Sequence, residues 1–435
     1  MRCWPLSLLL LTACPKTAPA PAEQPEPLAE PEPADAAPVL LDTPRDLSLW
    51  RVEKDGAVNH FFGTCHLTLD LNELLPPEHQ PLLTGSRVFM NEARTDSLTG
   101  GEAMRMLWSD DRLYDAIGED AFRALTLRIG PAMPATMLAH FPAWAAAPLI
   151  SSAEGAPMDA PNHPVLDVAT ETLARDSGVD VQALETMEQQ VELIAGLNPL
   201  FVTSIQESLT RTEPDPATVA LGPACLAGDG DEAIRLLSES SGQLNQTLLT
   251  ARNENWVQAL TEPLAEGGVF VAVGALHMFG PDGLLAAATE QGYTVTQLQT
   301  RMPLSEPTQA SLDRVVQSSV LAPAPAYDAD ALAAWESTLA EQVPGLVCQN
   351  PMMACFRGDV ATCEADVRGD LRACLLPMAH LLPAPDSDPS GVIQAVAACV
   401  GSSPVFAGVV EGTITTGPGC EQAAEVLNAM NQPPG

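Results

Sequence analysis

Two short segments of this chain place a histidine three residues after a glycine: Gly63-Thr64-Cys65-His66 and Gly274-Ala275-Leu276-His277. Each follows a stretch that reads as a strand, Asn59-His60-Phe61-Phe62 before the first and Val269-Phe270-Val271-Ala272-Val273 before the second. A glycine at that point permits a sharp backbone turn just past the strand end. In open α/β sheets, ligands bind outside the carboxyl ends of strands. Two imidazoles delivered there can share one metal ion, a common role for neutral histidine. Glu92 ends its own short strand over 87–93 and joins them as an oxygen ligand or a base. If these strands are neighbours, His66, His277 and Glu92 converge in one cleft.

Each piece has a bland reading. The glycine-to-histidine spacing recurs by chance, and a histidine at a strand end is usually a structural hydrogen-bond donor. His60, His79, His140 and His163 show no pairing pattern and read as surface or structural residues. Trp144 and Trp256 read as core. There is no HExxH, no GxSxG and no phosphate-binding glycine loop, which disfavours a conventional zincin, serine hydrolase or nucleotide enzyme.

The elements that must hold these residues alternate. Asp55-Gly56 is a hairpin signal between Leu49-Trp50-Arg51-Val52 and Asn59-His60-Phe61-Phe62. Residues 98–150 carry helical spacing interrupted at Pro131, Pro134 and Pro142. Helices are predicted over 164–177, 187–197, 242–264 and 281–291, with strands at 179–185 and 293–298. The run 269–273 is apolar throughout, as in a strand buried on both faces. The fold class is therefore α/β, a mixed or largely parallel sheet with helical insertions.

Composition narrows the partners. The 435 residues suggest about two domains. Against 20 Lys+Arg stand 56 Asp+Glu, a formal net charge of −36. Such a field repels phosphate backbones, so no nucleic-acid partner is expected. The acidic surface aids solubility.

With the elements in place, longer stretches resemble the TraB/PrgY/GumN family, to which the Tiki proteases belong. LWRVEKDGAVNHFFGTCHLTLD is similar to its opening, VFMNEA to its strand with the acidic residue, and LDVATETLARDSGVDVQALETMEQQVELI to its middle motif. ARNENWVQAL and VFVAVGALHMFGPDGLLAAATEQGYTVTQL resemble its closing block. The likeness covers about residues 47–299. It implies an active site at His66, His277 and Glu92, supported by Gly63 and Gly274, and a fold like that of ChaN and the erythromycin esterases. It also implies a divalent-metal-dependent hydrolase, with manganese, cobalt or zinc as the ion, acting on a peptide or small-molecule substrate. Glu185 and Arg252 fall on motif positions. Their bland readings are a helix cap near Thr186 and neutralisation of an internal carboxylate. Cys65 occupies a variable slot and reads as unpaired, with a Cys65–Cys225 disulfide as the alternative. The rival to an enzyme is a binding protein holding a ligand, metal or haem without turnover.

The two ends differ from this middle. MRCWPLSLLLLTAC resembles a bacterial lipoprotein signal over residues 1–14, with Cys14 as the lipidated residue and the membrane as partner. Residues 15–46 form a Pro/Ala/Glu-rich linker ahead of a domain over 47–302. No later stretch reads as a membrane span. A lipid-anchored envelope protein is expected, in the outer membrane and facing the periplasm or the surface. Residues 303–330 read as a second linker, and 331–435 as a cysteine-rich helical module. Its Cys348, Cys355, Cys363, Cys374, Cys399 and Cys420 suggest three disulfides, with 15 possible pairings. Their spacings are not zinc-like. A role for this tail in binding an envelope partner is the third functional possibility.

Overall fold

A computed structural model describes residues 40–67, 69–94, 100–130, 133–155, 165–240, 242–412 and 420. Cys14, residues 15–39 of the first linker and His163 lie outside the described residues.

Six strands form one mixed sheet: β1 (Arg45–Lys54), β2 (Ala57–Thr64), β3 (Val88–Asn91), β4 (Asp180–Ala183), β5 (Val269–Gly274) and β6 (Thr294–Thr300). Their spatial order is β4-β3-β5-β2-β1-β6. The hairpin forms where Asp55 (φ 50) and Gly56 (φ 86) adopt the left-handed turn that suits strand twist. β1 runs antiparallel to both β2 and β6, whereas β2/β5, β5/β3 and β3/β4 are parallel.

The apolar run of β5 is explained by layers on both of its faces. Val271 and Val273 pack with Trp256 and Leu260 of the helix Ala251–Glu266 on one side. Phe270 and Ala272 face the other way, with Leu166 and Ala174 of the helix Leu166–Asp176. The predicted helix over 242–264 contains a π-helical turn, Gln246–Thr250, directly before Ala251. The helical stretch 98–150 is cut at its prolines and glycines into Gly100–Leu107, Leu113–Ile117, Glu119–Ile129, Ala135–Ala139 and Ala143–Gly155.

A second core lies among these helices and those of the tail. Phe122, Phe141 and Trp144 pack in one cluster with Trp335, Leu339 and Leu375. The expected linker 303–330 contains the helix Glu306–Ser318, which packs against Ala143–Gly155. Ser305 caps it by accepting from the Thr308 N–H, Pro307 sits in its first turn, and Leu312 is buried. The six tail cysteines pair as Cys348–Cys363, Cys355–Cys420 and Cys374–Cys399. Against expectation, Ser390–Glu411 is long and apolar enough to cross a membrane, with a mean hydropathy of 1.7. It is two helices broken at Gly401–Ser402, and Val392, Val396, Val400 and Phe406 join the second core.

Candidate functional site

β2 and β5 are parallel neighbours with Thr64 opposite Gly274, so both histidine turns leave the carboxyl ends of adjacent strands. β3 flanks β5 and ends at Asn91, which delivers Glu92 beside them. A Cβ placed on Gly274 would lie 3.1 Å from Glu92 Oε1 and 3.6 Å from both His66 Nε2 and His277 Cδ2. The three side chains therefore gather round one point.

The reason for the glycines differs from the one expected. Neither Gly63 nor Gly274 has positive φ, and Gly63 lies inside β2. Both are glycine because of close approach. A Cβ on Gly63 would run into Ser48 Oγ and come within 3.1 Å of Ala275. At Gly274 the space is filled by the site itself, and its N–H donates to Glu92 Oε1 at 2.7 Å.

The two imidazoles sit in opposite surroundings. His66 exposes 57% of its side chain, and its Nδ1 donates to Asp167 Oδ2 at 3.1 Å. Asp167 also accepts from the Thr64 hydroxyl and sits in the first turn of Leu166–Asp176, where the helix end favours negative charge. Asp167 raises His66 to about 9, with Glu92 assisting and Arg252 opposing. His277 is 3% exposed and lies in the 3-10 turn Ala275–Met278. Its Nδ1 donates to Asn253 Oδ1 at 2.7 Å, and its Nε2 accepts from Arg252 Nη1 at 3.1 Å. The ring packs on Trp256, centroids 4.4 Å apart. Burial lowers His277 to about 3, with Glu92 opposing and Arg252 assisting. It is neutral, with the proton on Nδ1.

Arg252 joins the acidic residues. Its Nη2 reaches Glu92 Oε2 at 2.6 Å and also binds Glu185, while its Nε donates to Glu185 Oε2 at 3.2 Å. Burial alone would raise Glu92, but Arg252, the charged His66 and the Gly274 N–H hold it below the usual carboxylate range. Burial raises Glu185, with Arg252 opposing. The helix-cap reading of Glu185 fails: Thr186 caps Met187–Ala195 through a capping box with Gln189. From the same helix Gln190 Nε2 donates to Glu92 Oε2 at 3.1 Å.

Cys65 is not free. It is bonded to Cys225 of the helix Pro216–Ala227, with Cα atoms 5.9 Å apart, an ordinary disulfide separation. The unpaired reading is thereby corrected. A pairing across 160 residues leaves no local spacing pattern to read. His79 Nε2 donates to the Gln299 carbonyl at 2.9 Å, His60 is half-buried, and buried His140 stacks on Trp108 and pairs with Asp370.

Sequence reasoning missed Asp167, Asn253 and Gln190. Two signals were present: the acidic residue opening the LDVATETLA helix, and the asparagine beside Arg252 in ARNENW.

Among the described residues, no three His, Cys, Asp or Glu side chains are closed round a metal position as they stand. The donors nonetheless suit a divalent ion in kind. Both imidazoles have Nδ1 fixed by an oxygen partner, the arrangement that steers Nε2 toward a metal. Glu92 Oε1 lies 3.8 Å from His277 Nε2. Arg252 is the cation they hold here.

A family model described as TraB/PrgY/gumN matches residues 48–297, more than half of the chain. The chain belongs to the TraB/PrgY/gumN family. No curated protein and no solved structure matches it. The TraB/PrgY/gumN match runs from β1 into β6, and so includes every residue of the cluster just described.

Proposed function

We propose that this TraB/PrgY/gumN protein is a divalent-metal-dependent hydrolase of amide or ester bonds, peptides first. The reading includes attachment to the cell envelope through a lipid on Cys14 and a fold akin to ChaN and the erythromycin esterases. One observation carries the hydrolase reading: the paired histidines have Nδ1 tied to Asp167 and Asn253, and both approach Glu92 over Gly274. His66 Nε2, His277 Nε2 and Glu92 Oε1 would hold the ion. When bound, a divalent ion lowers the pKa of a coordinated water and polarises a carbonyl oxygen.

The chain's own residues supply orientation and charge. Asp167 turns the His66 ring and Asn253 the His277 ring, so neither needs to reorganise when a ligand arrives. Arg252 keeps Glu92 ionised, and Gln190 with the Gly274 N–H fixes the plane of its carboxylate. Trp256 beneath His277 excludes water from the buried side of the cluster.

The Arg252 contact to His277 Nε2 favours a second reading, a site that holds a ligand without metal or turnover. Metal analysis of the purified chain, with an amide and ester hydrolysis screen in added manganese, cobalt or zinc, separates the two. Metal-stimulated turnover that vanishes in His66→Ala and His277→Ala supports the hydrolase. Ligand binding without metal uptake or turnover supports the second reading.

A further inference from the structure

The connector from Cys225 to Asp231 touches both histidine turns. Cys225 is covalently bound to Cys65, the residue beside His66. Gly228 closes the helix Pro216–Ala227 in the left-handed conformation (φ 61), with Trp50 and the Leu47 carbonyl 2.7 and 2.9 Å from where a Cβ would be. Gly230 then lies against the Phe279 ring, leaving no room for a side chain. Asp231 Oδ1 accepts the Gly280 N–H at 3.3 Å. Phe279 and Gly280 follow the 3-10 turn that carries His277.

The two turns depend on this connector unequally. His277 is buried and tied by Asn253, Arg252 and Trp256. His66 lies past the end of β2, on a half-exposed turn, with Asp167 as the partner of its ring. Beside it, the Leu67 carbonyl accepts the Leu166 N–H at 2.9 Å. The disulfide is the covalent tie of that turn to the rest of the site. Both cysteines are buried, at 5% and 6% exposure, so the bond acts as a fixed crosslink once made and not as an exposed exchange point.

We propose that Cys225–Asp231 is a positioning strap that sets the two histidine turns in register, with Cys65–Cys225 as its fastening on the His66 side. The site then reaches its working geometry only in a chain whose disulfides have formed, outside a reducing compartment. This rests on the reading of His66 and His277 as one site.

The test uses the full chain with Cys65→Ala and Cys225→Ala together, the three tail disulfides being retained. Long-range proton–nitrogen NMR reads each histidine ring separately, assigned with His66→Gln and His277→Gln. In the double variant the His66 signals should move toward those of free imidazole. The His277 signals should stay in place. A disulfide that only stabilises the fold would lower the melting temperature and leave the His66 ring unchanged, and that result would overturn the strap. A complementary variant, Gly230→Ala, keeps every cysteine and presses on Phe279. It should disturb His277 and spare His66, and signals unmoved at both rings would likewise overturn the strap. Cobalt(II) titration adds a separate arm, in which the double cysteine variant should bind at least tenfold more weakly than the parent. A parent chain that binds no cobalt defeats the metal reading above, while the ring signals still decide the strap.

Discussion

Asn253 Oδ1 accepts the Nδ1–H of His277 at 2.7 Å, and the same side chain donates to the His277 and Asp282 carbonyls at 3.2 and 2.8 Å. Those two donations leave its oxygen no other orientation. The tautomer of His277 is thus set from the helix Ala251–Glu266, and a lone pair on Nε2 is the consequence.

Asn253→Ala removes that constraint and takes away the partner of His277 Nδ1 and of the His277 and Asp282 carbonyls. Divalent-metal affinity should fall by about 10–100-fold, the usual effect of losing an outer partner of a ligating histidine. Isothermal titration with manganese and cobalt checks it, with a urea melt to separate affinity from the accompanying loss of stability.

The two motif glycines should fail differently. Gly274→Ala keeps an allowed backbone but places a methyl group 3.1 Å from Glu92 Oε1. It should abolish metal-dependent turnover with little change in melting temperature. Gly63→Ala meets Ser48 inside the sheet and should destabilise by about 1–3 kcal/mol, as overpacked cores do. Adding Ser48→Gly should recover much of that loss in denaturant titrations.

The histidines make opposite contributions to stability as pH changes. His277 titrates near 3 when folded and near 6.5 when unfolded, so the unfolded chain binds the extra proton between those values. Its contribution is complete above about 6.5 and is lost as pH falls, with a limiting slope of about 1.4 kcal/mol per pH unit. His66, raised to about 9, contributes below its unfolded value and loses that contribution as pH rises through 9. Urea melts from pH 4 to 10 should show His277→Gln flattening the acid limb and His66→Gln the alkaline one.

Ending the chain after Met302 should not release a well-folded domain. Arg123 is fully buried and donates to the Leu376 carbonyl at 3.0 Å and the Pro325 carbonyl at 2.6 Å. Truncation would remove those carbonyl partners of Arg123 and uncover Phe122, Phe141 and Trp144. Size-exclusion chromatography should show aggregation, and circular dichroism a helix loss larger than the deleted residues account for.

Local pattern carried the sheet. The Asp55-Gly56 turn, the uninterrupted apolar run of β5 and the proline breaks after residue 129 all report conditions that act within a few residues. The pairing of β2 with β5 was inferred from the repeated glycine-to-histidine spacing. What sequence concealed depends on distant approach. Asp167 meets His66 across 101 residues, and Cys65 meets Cys225 across 160. The helix Glu306–Ser318 is a different case, because Ser305-Glu306-Pro307 is a legible start signal that polar composition obscured.

The second core joins helices that begin near residue 104 to others that end near residue 409. During synthesis the early helices emerge with Trp144 and Phe141 still lacking their covering. The pieces that bury them, Trp335 and Leu375 among them, follow about two hundred residues later. At about 5–20 residues per second, that interval lasts on the order of ten to forty seconds. For that time the helices from Gly100–Leu107 to Ala143–Gly155 present an uncovered apolar flank, which makes them clients for whatever holds nascent chains. A nonsense mutation just ahead of Trp335 would then harm the earliest helices as well as removing the last.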